Sequence, residues 1–465
     1  MTLDPAALQV LVSRLGGIAD EMGAVLRRSA SSPNIKERAD CSAAVFTPAG
    51  ELLAQAEHIP VHLGSMPASV AAAIAAHGAG IQDGDHVLLN DPFAGGTHLN
   101  DLTLVTPAFA AGGLVGWVAN RAHHSDVGGA APGSIPADAT EIHQEGLRIP
   151  PTRLGPEVRA LLLANSRTPD ERAGDLDAQL GANVVGALRL AELAGEPFDE
   201  VVAYGERRMR AVLATLPDGS WSFADVLDST GSAPDQQQPA AVVVTVHVVG
   251  EDIMFDFTGS APQQRGNVNA VEAVTVSAVA YALRAAIDPT IPANGGSMRP
   301  VRVVAPPGTI VAAQPPAAVG AGNVEVSQRV ADVCLGALAQ IVPGRVGAAS
   351  QGTMNNVLIG GDGWVYYETL AGGEGGQPHR DGMSGVHTSM TNTSQVDAPS
   401  IRGRDGMSGI HTGMTNTQNT PIEALERSFP LRVRRYQIRY ESGGLGRFNG
   451  GDGIERDLEV LEDCT

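Results

Sequence analysis

The densest run of metal-competent side chains in this sequence lies between residues 40 and 126. Thr97-His98-Leu-Asn-Asp101 follows the Gly95-Gly96 turn and enters a strand-like run, and Ala122-His123-His124-Ser-Asp126 ends the neighbouring one. Imidazole nitrogen and carboxylate oxygen are the ligands that divalent zinc, manganese and iron accept. In a strand His123 and His124 point to opposite faces, so only one can join a site with His98 unless a bulge re-aims the other. Asp40, at a strand entrance, offers a further carboxylate. The bland alternative is a set of satisfied polar residues at strand ends. Against it, five or six candidates fall at adjacent strand termini, beside glycines that admit close backbone approach.

Around this cluster stand secondary candidates. His58 and His62, in Glu57-His-Ile-Pro-Val-His62, either line a substrate pocket and shuttle protons or cap the helix that follows. Glu141 and His143, with Glu145 and Arg148, sit in a polar stretch after Gly128-Gly129 that reads as a lid or anion clamp, or as a solvated loop. Asn165-Ser-Arg167 and Asp175 to Gln179 either bind a polar substrate or join structural layers. Gly266-Asn267-Val-Asn269 and Gly322-Asn323-Val-Glu325 are turn motifs first and site candidates second.

The sequence also excludes chemistry. It has no G-x-S-x-G elbow and no cysteine in a recognised nucleophile setting. Lys36 is the only lysine, so a G-x-x-x-x-G-K-[ST] phosphate loop is absent. A metal-activated water is the favoured nucleophile, and any nucleoside triphosphate is expected on another subunit. The net charge of −20 disfavours nucleic acid and anionic lipid as partners. Cys41, Cys334 and Cys464 are too few for a disulfide framework. With no apolar leader and no long apolar run, the expected location is the cytoplasm.

The elements that must position these groups follow from periodicity. Residues 6–30 carry Leu8, Val10, Leu11, Leu15, Ile18, Met22 and Leu26 at helical spacing. Strands are expected at Cys41–Phe46, after Gly50, and at 86–90, 102–109 and 114–123. Ser65 is expected to cap a helix that Gly78 stops. Helical patterns cover 171–215, strands dominate 221–258, and alanine-rich buried helices at 268–287 and 325–341 flank a strand at Val301–Val304. The fold expected is α+β and multi-domain, with mixed β-sheets packed with alanine-rich helices. Its parts are a metal-site α/β domain (1–218), a central α+β domain (219–345) and a Gly-rich β domain (346–465). In the last, residues 381–393 recur as 405–417 with two differences in thirteen positions. The simplest account is a recent local duplication that loops out of the structure, which chain entropy tolerates cheaply.

Glu37-Arg-Ala-Asp40, His58-Ile-Pro-Val-His62-Leu-Gly, Asn90-Asp-Pro-Phe-Ala-Gly-Gly-Thr-His98-Leu-Asn-Asp101 and Ala122-His-His-Ser-Asp126-Val-Gly-Gly together resemble hydantoinase B. Glu141-Ile-His-Gln-Glu-Gly146, Asp256-Phe-Thr-Gly259, Pro292-Ala-Asn-Gly-Gly296, Met414-Thr-Asn-Thr417 and Gly450-Gly-Asp-Gly453 extend the resemblance along nearly the whole chain. That family holds N-methylhydantoinase and 5-oxoprolinase B-type subunits and the related acetone carboxylase α subunits. The resemblance implies a hydantoinase A-type ATPase partner that binds ATP and phosphorylates a small cyclic amide, whose ring this subunit opens within a hetero-oligomer. It implies Asp40, His98, Asp101 and His123 as ligands of zinc, manganese or iron, with His124 in reserve; His124, Asp126, His58, Glu141 and His143 are the remaining candidates for catalysis. Two other readings are an acetone carboxylase-like carboxylase subunit and a non-catalytic scaffold. The duplicated block is expected once, and the chain is expected to be C-terminally truncated relative to the family.

Overall fold

A computed structural model describes residues 4–57, 59–231, 233, 236–376 and 408–465. His58, the first copy of the repeat and residues 405–407 of the second lie outside the described residues.

The helix expected from the N-terminal periodicity is α1, Pro5–Ser29, capped by the Asp4 carboxylate on the Ala6 amide. Leu8, Leu11, Leu15, Ile18, Met22 and Leu26 are its buried stripe; Val10 falls off that stripe and is exposed. After the short α2 (Pro33–Lys36) comes an antiparallel sheet of β1 (Cys41–Phe46), β2 (Leu52–Glu57), β3 (Val87–Leu89), β4 (Asp101–Ala110), β5 (Gly113–His123) and β6 (Thr152–Arg153). Its spatial order is β2-β1-β5-β4-β3-β6. Interleaved are α3 (Ser65–His77), α4 (Pro156–Asn165), α5 (Pro169–Ala191) and α6 (Phe198–Leu213).

Strand alternation sorts the two faces of this sheet. Ala43, Val45 and Val118 face the hydrophobic stripes of α1 and α5. Ala44, Phe46, Trp117 and Ala119 face Met66, Val70 and Ala73 of α3. Ser65 proves to be the first residue of α3 rather than its cap: its hydroxyl bonds the Val61 carbonyl and the Arg121 guanidinium. The helical pattern over 171–215 is broken into α5 and α6 by the turn at residues 192–197.

A second sheet contains β7 (Gly219–Leu227), β8 (Ala240–Val249), β9 (Asp252–Asp256) and β10 (Val301–Val304), ordered β10-β9-β8-β7, with only β9 and β10 parallel. Against it pack the alanine-rich α7 (Glu272–Ala286) and α9 (Ser327–Ile341), with the short α8 (Gly295–Met298) between them in sequence. A π-helical turn, Gly322–Val326, leads into α9. Three two-stranded ribbons complete the described chain: β11 (Asn356–Gly361) with β12 (Trp364–Thr369), β13 (Gly372–Gly373) with β14 (Ser408–Ile410), and β15 (Leu431–Ile438) with β16 (Ile454–Val460), the last two separated by α10 (Ile422–Ser428). The fold is therefore α+β with several small sheets and mixed pairing.

Both sheets share one core. Leu102 and Leu104 of β4, the apolar face of β8, helices α7 and α9, and Met414 belong to a single apolar cluster. The loop between β2 and α3 is pinned into it. Ile59, Val61 and Leu63 are buried, the Gly64 amide donates to the Ser277 hydroxyl of α7, and a Cβ at Gly64 would stand 2.7 Å from the Ser277 nitrogen. His62 is thereby fixed against the sheet.

Candidate metal centre

The α3-facing positions of β1, β4 and β5 converge at one end of the sheet. Asp101 is paired directly with His123, and Thr103 with Arg121. His98 precedes Asp101 by one tight turn, closed by the Asp101 amide on the His98 carbonyl. The result is a buried triangle. His98 Nε2 lies 3.1 Å from Asp101 Oδ1, His123 Nδ1 lies 3.3 Å from the same oxygen, and the two ring nitrogens are 3.2 Å apart. Ligand atoms bound at about 2.0–2.1 Å stand about 2.8–3.0 Å apart around an octahedral ion and about 3.3–3.4 Å apart around a tetrahedral one. The three ligand atoms thus already have the edge lengths of a coordination polyhedron, and they are a group able to hold a metal ion.

Two further groups border the triangle. His62 Nε2 is 3.4 Å from Asp101 Oδ2, and its Nδ1 is bonded to the Ser42 hydroxyl at 2.9 Å, which fixes the ring orientation. Asp40 lines the same small cavity, and its carbonyl accepts the His123 amide at 3.0 Å. Behind His123, the Tyr367 ring stacks at 4.4 Å and 15°, with the Arg38 guanidinium 4.9 Å from the phenol ring. Thr97 Oγ1 donates to Asp101 Oδ2.

The electrostatics suit a cation. Burial opposes a charged Asp101, yet the neighbouring His98 and hydrogen bonds from His123, His62 and His98 hold its carboxyl well below the usual range. Burial pushes His123 down to about 3 and also lowers His62, so both imidazoles keep a free lone pair at neutral pH. His98 is raised, because the Asp101 carboxylate overcomes the burial that would lower it. Burial lifts Asp40 to about 7, against the pull of Arg38, so an incoming cation would have to displace its proton.

The other candidates sit elsewhere. His124 points to the opposite face, as strand alternation requires, and its Nε2 is bonded to Gln179 of α5 at 2.9 Å. Asp126 is buried as an anchor: it accepts the amides of Gly128, Gly133 and Arg167 and the Arg167 guanidinium. Glu141 and His143 are exposed on a one-turn helix that Glu141 and Gln144 cap reciprocally. Their neighbour Glu145 turns inward instead, accepts the Val319 and Gly320 amides, and is lifted by burial to about 7. Arg172 and Asp175 form a buried pair that ties α5 to the amides of Ser31 and Ser32.

Tyr367 and Thr369 of β12, with Thr415 and Thr417 from the segment after β14, complete the cavity wall. Sequence reasoning missed the first two, and took Thr415 and Thr417 only as part of a family motif. Hydroxyl residues in Gly- and Thr-rich ribbons carry no spacing signal; their tie to Arg38, some 330 residues earlier, is visible only in three dimensions.

A buried His/His/Asp cluster at paired strand ends, on an antiparallel sheet sharing its core with a second α+β layer, is a group that could hold a metal ion. The chain belongs to the hydantoinase B/oxoprolinase family, whose profile matches residues 4–401 and 398–465. It is 40% identical to an uncharacterized protein of Methanocaldococcus jannaschii, over 99% of this chain and 80% of that one. It is 36% identical to the 5-oxoprolinase of Dictyostelium discoideum over its full length, and spans only 35% of that longer protein. Among solved structures, the ATP-dependent caprolactamase from Pseudomonas jessenii superposes with a TM-score of 0.86 at 29% identity, over 99% of this chain and 79% of that one.

Proposed function

We propose that this chain is the hydrolytic subunit of an ATP-dependent cyclic amide hydrolase, opening a hydantoin, 5-oxoproline or lactam ring. The observation that carries the reading is the converged triangle of His98, Asp101 and His123, in a chain whose relatives include a 5-oxoprolinase and an ATP-dependent caprolactamase. An amide carbonyl is a poor electrophile. Phosphorylation of its oxygen by a hydantoinase A-type partner, which would hold the ATP, provides a leaving group. A zinc, manganese or iron ion held at the triangle would supply Lewis acidity and a more acidic water.

The protein's own residues do the rest. Asp101 and the two imidazoles would hold the ion, with Asp40 as a fourth group once it gives up its proton. His62 is oriented by Ser42 and lies against Asp101, so it can accept a proton at Nε2 and pass it along that carboxylate. The Tyr367 ring keeps the His123 imidazole in one plane and shields it from water. Hetero-oligomer formation and a cytoplasmic setting belong to the same proposal. Among the described residues no helix is long and apolar enough to cross a membrane.

The test is metal content by plasma mass spectrometry on the wild type and on a His98→Ala, Asp101→Ala double variant. About one transition metal per chain, lost in the double variant, is expected. Folded wild-type protein with no metal would overturn the reading. Ring opening of a lactam should then require ATP and the partner, and should disappear with the metal.

A further inference from the structure

Among the described residues, two arginines buried beside the metal triangle pair with no carboxylate. Arg38 and Arg121 are both fully buried. Arg38 donates to the Asn34 side-chain oxygen, to the Tyr367 carbonyl at 2.9 Å and to Thr369 Oγ1 at 2.6 Å, and its Nε has no partner. Arg121 donates to the Ser65 hydroxyl, to Thr103 Oγ1 and Ser69 Oγ at 2.7 Å each, and to the Gly95 carbonyl at 3.3 Å. Every one of these acceptors is neutral. Arg172 and Arg456, whose side chains are also buried, behave differently: Arg172 has Asp175 at 2.9 Å and Arg456 has Glu368 at 2.7 Å. Buried charges are as a rule paired or given to an ion site, so two that are not call for a reason.

Their counter-charges are the carboxylates of the metal centre. Arg121 stands two residues before His123 on β5, and its charge acts on Asp101 and His62. Arg38 stands two residues before Asp40 and acts on that carboxyl. A divalent ion that takes Asp40 and Asp101 as ligands draws on the same two negative charges. The loaded centre then holds four positive charges, two from the ion and one from each arginine, against two negative ones. Glu145, which acts on His98, cancels at most one of the excess. Glu368 and Glu325 are already matched by Arg456 and Arg329. A positive excess in a buried place favours an anionic ligand.

We infer that Arg38 and Arg121 make the loaded metal centre an anion site, and that the group it takes is a phosphoryl dianion. A cyclic amide is neutral, whereas a phosphoryl group brings close to two negative charges. The inference rests on the phosphorylated-amide reading above and names how this site tells the phosphorylated amide from the free one. Neither guanidinium lines the cavity at the triangle. They act as fixed charges behind it, which makes them specificity-determining residues that need not touch the substrate. Metal and phosphoryl group are then linked, each tightening the other by the same factor.

Binding of inorganic phosphate to the manganese-loaded full chain, measured by calorimetry, tests the inference. Phosphate is expected to bind, and to tighten manganese retention against a chelator by about tenfold or more. The neutral 2-pyrrolidone should leave manganese affinity unchanged. Arg38→Gln and Arg121→Gln should each weaken phosphate about tenfold at full manganese loading, while Arg38→Lys and Arg121→Lys keep most of it because the charge stays. A merely structural role would make lysine as harmful as glutamine, and that result overturns the inference. Phosphate held equally well by the wild type and both glutamine variants overturns it too. So does a wild type whose manganese affinity ignores phosphate, a result that needs no variant. Ethyl phosphate separates the two sources of the dianion: its binding beside phosphate assigns the site to the phosphorylated substrate, and binding of phosphate alone assigns it to the phosphate released, either result supporting the charge assignment. Full manganese loading with no phosphate bound sinks the anion site and leaves the metal centre standing, whereas a folded chain that takes up no manganese, zinc or iron sinks the hydrolytic reading itself.

Discussion

Glu145 is the buried carboxyl whose pH behaviour can be observed without touching the metal triangle. Its side chain accepts two backbone amides and meets no partner cation within ion-pair distance among the described residues, so burial dominates and holds its pKa at about 7. Between the ordinary glutamate value near 4.5 and about 7 the folded chain binds one proton more than the unfolded chain. Stability should therefore fall as pH rises through that window and level off above it, by about 3 kcal/mol in all. Glu145→Gln keeps one oxygen for both amides, because Val319 and Gly320 reach the same Oε1. Urea unfolding across pH 5–8 is expected to show that slope in the wild type and its reduction in Glu145→Gln. Parallel curves for the two proteins would mean that Glu145 titrates like an exposed carboxyl.

At the scale of elements, the site depends on how closely the π-helical turn approaches the loop before α7. A Cβ at Gly322 would lie 1.9 Å from the Asn269 carbonyl oxygen, backbone against backbone, with no flexible side chain able to yield. Gly322→Ala should cost about 1–3 kcal/mol or more, read from urea midpoints, and should displace Asn323 from the cavity wall. What could be read from the sequence divides along the same line. Helix α1, strands β1, β4 and β5, and helices α7 and α9 were legible because each has a full apolar period and packs within its own layer. The convergence of His98, Asp101 and His123 was legible because the three occupy adjacent strand ends and alternation excludes His124 from that face. The capping role expected of Ser65 failed, because a tertiary partner, Arg121, claims its hydroxyl. The wall of Tyr367, Thr369 and Thr415 was hidden, since its residues meet the first sheet only through long-range packing.

For the whole molecule, the repeat can be tested in the connection from β13 to β14. Gly373 is paired with Ser408, so the two ends of the intervening chain already lie side by side. Removing residues 377–400 takes out one repeat unit and leaves the copy that reaches the cavity. Treated as a bare loop shortened roughly fourfold, the connection should gain about 1 kcal/mol in closure entropy. Metal content should be unchanged and the melting temperature equal or slightly higher. A large drop in either would show that the first copy carries structure of its own.

The two copies of that repeat are not interchangeable. Gly413 of the second copy has φ of +70°, and a side chain there would begin 2.2 Å from Gln328 Oε1, the oxygen that receives the Met414 amide. The first copy carries Ser389 at the matching position. The Gly413 and Ser389 difference thus separates a sequence that fits against Gln328 from one whose side chain would have to push Gln328 aside at that place.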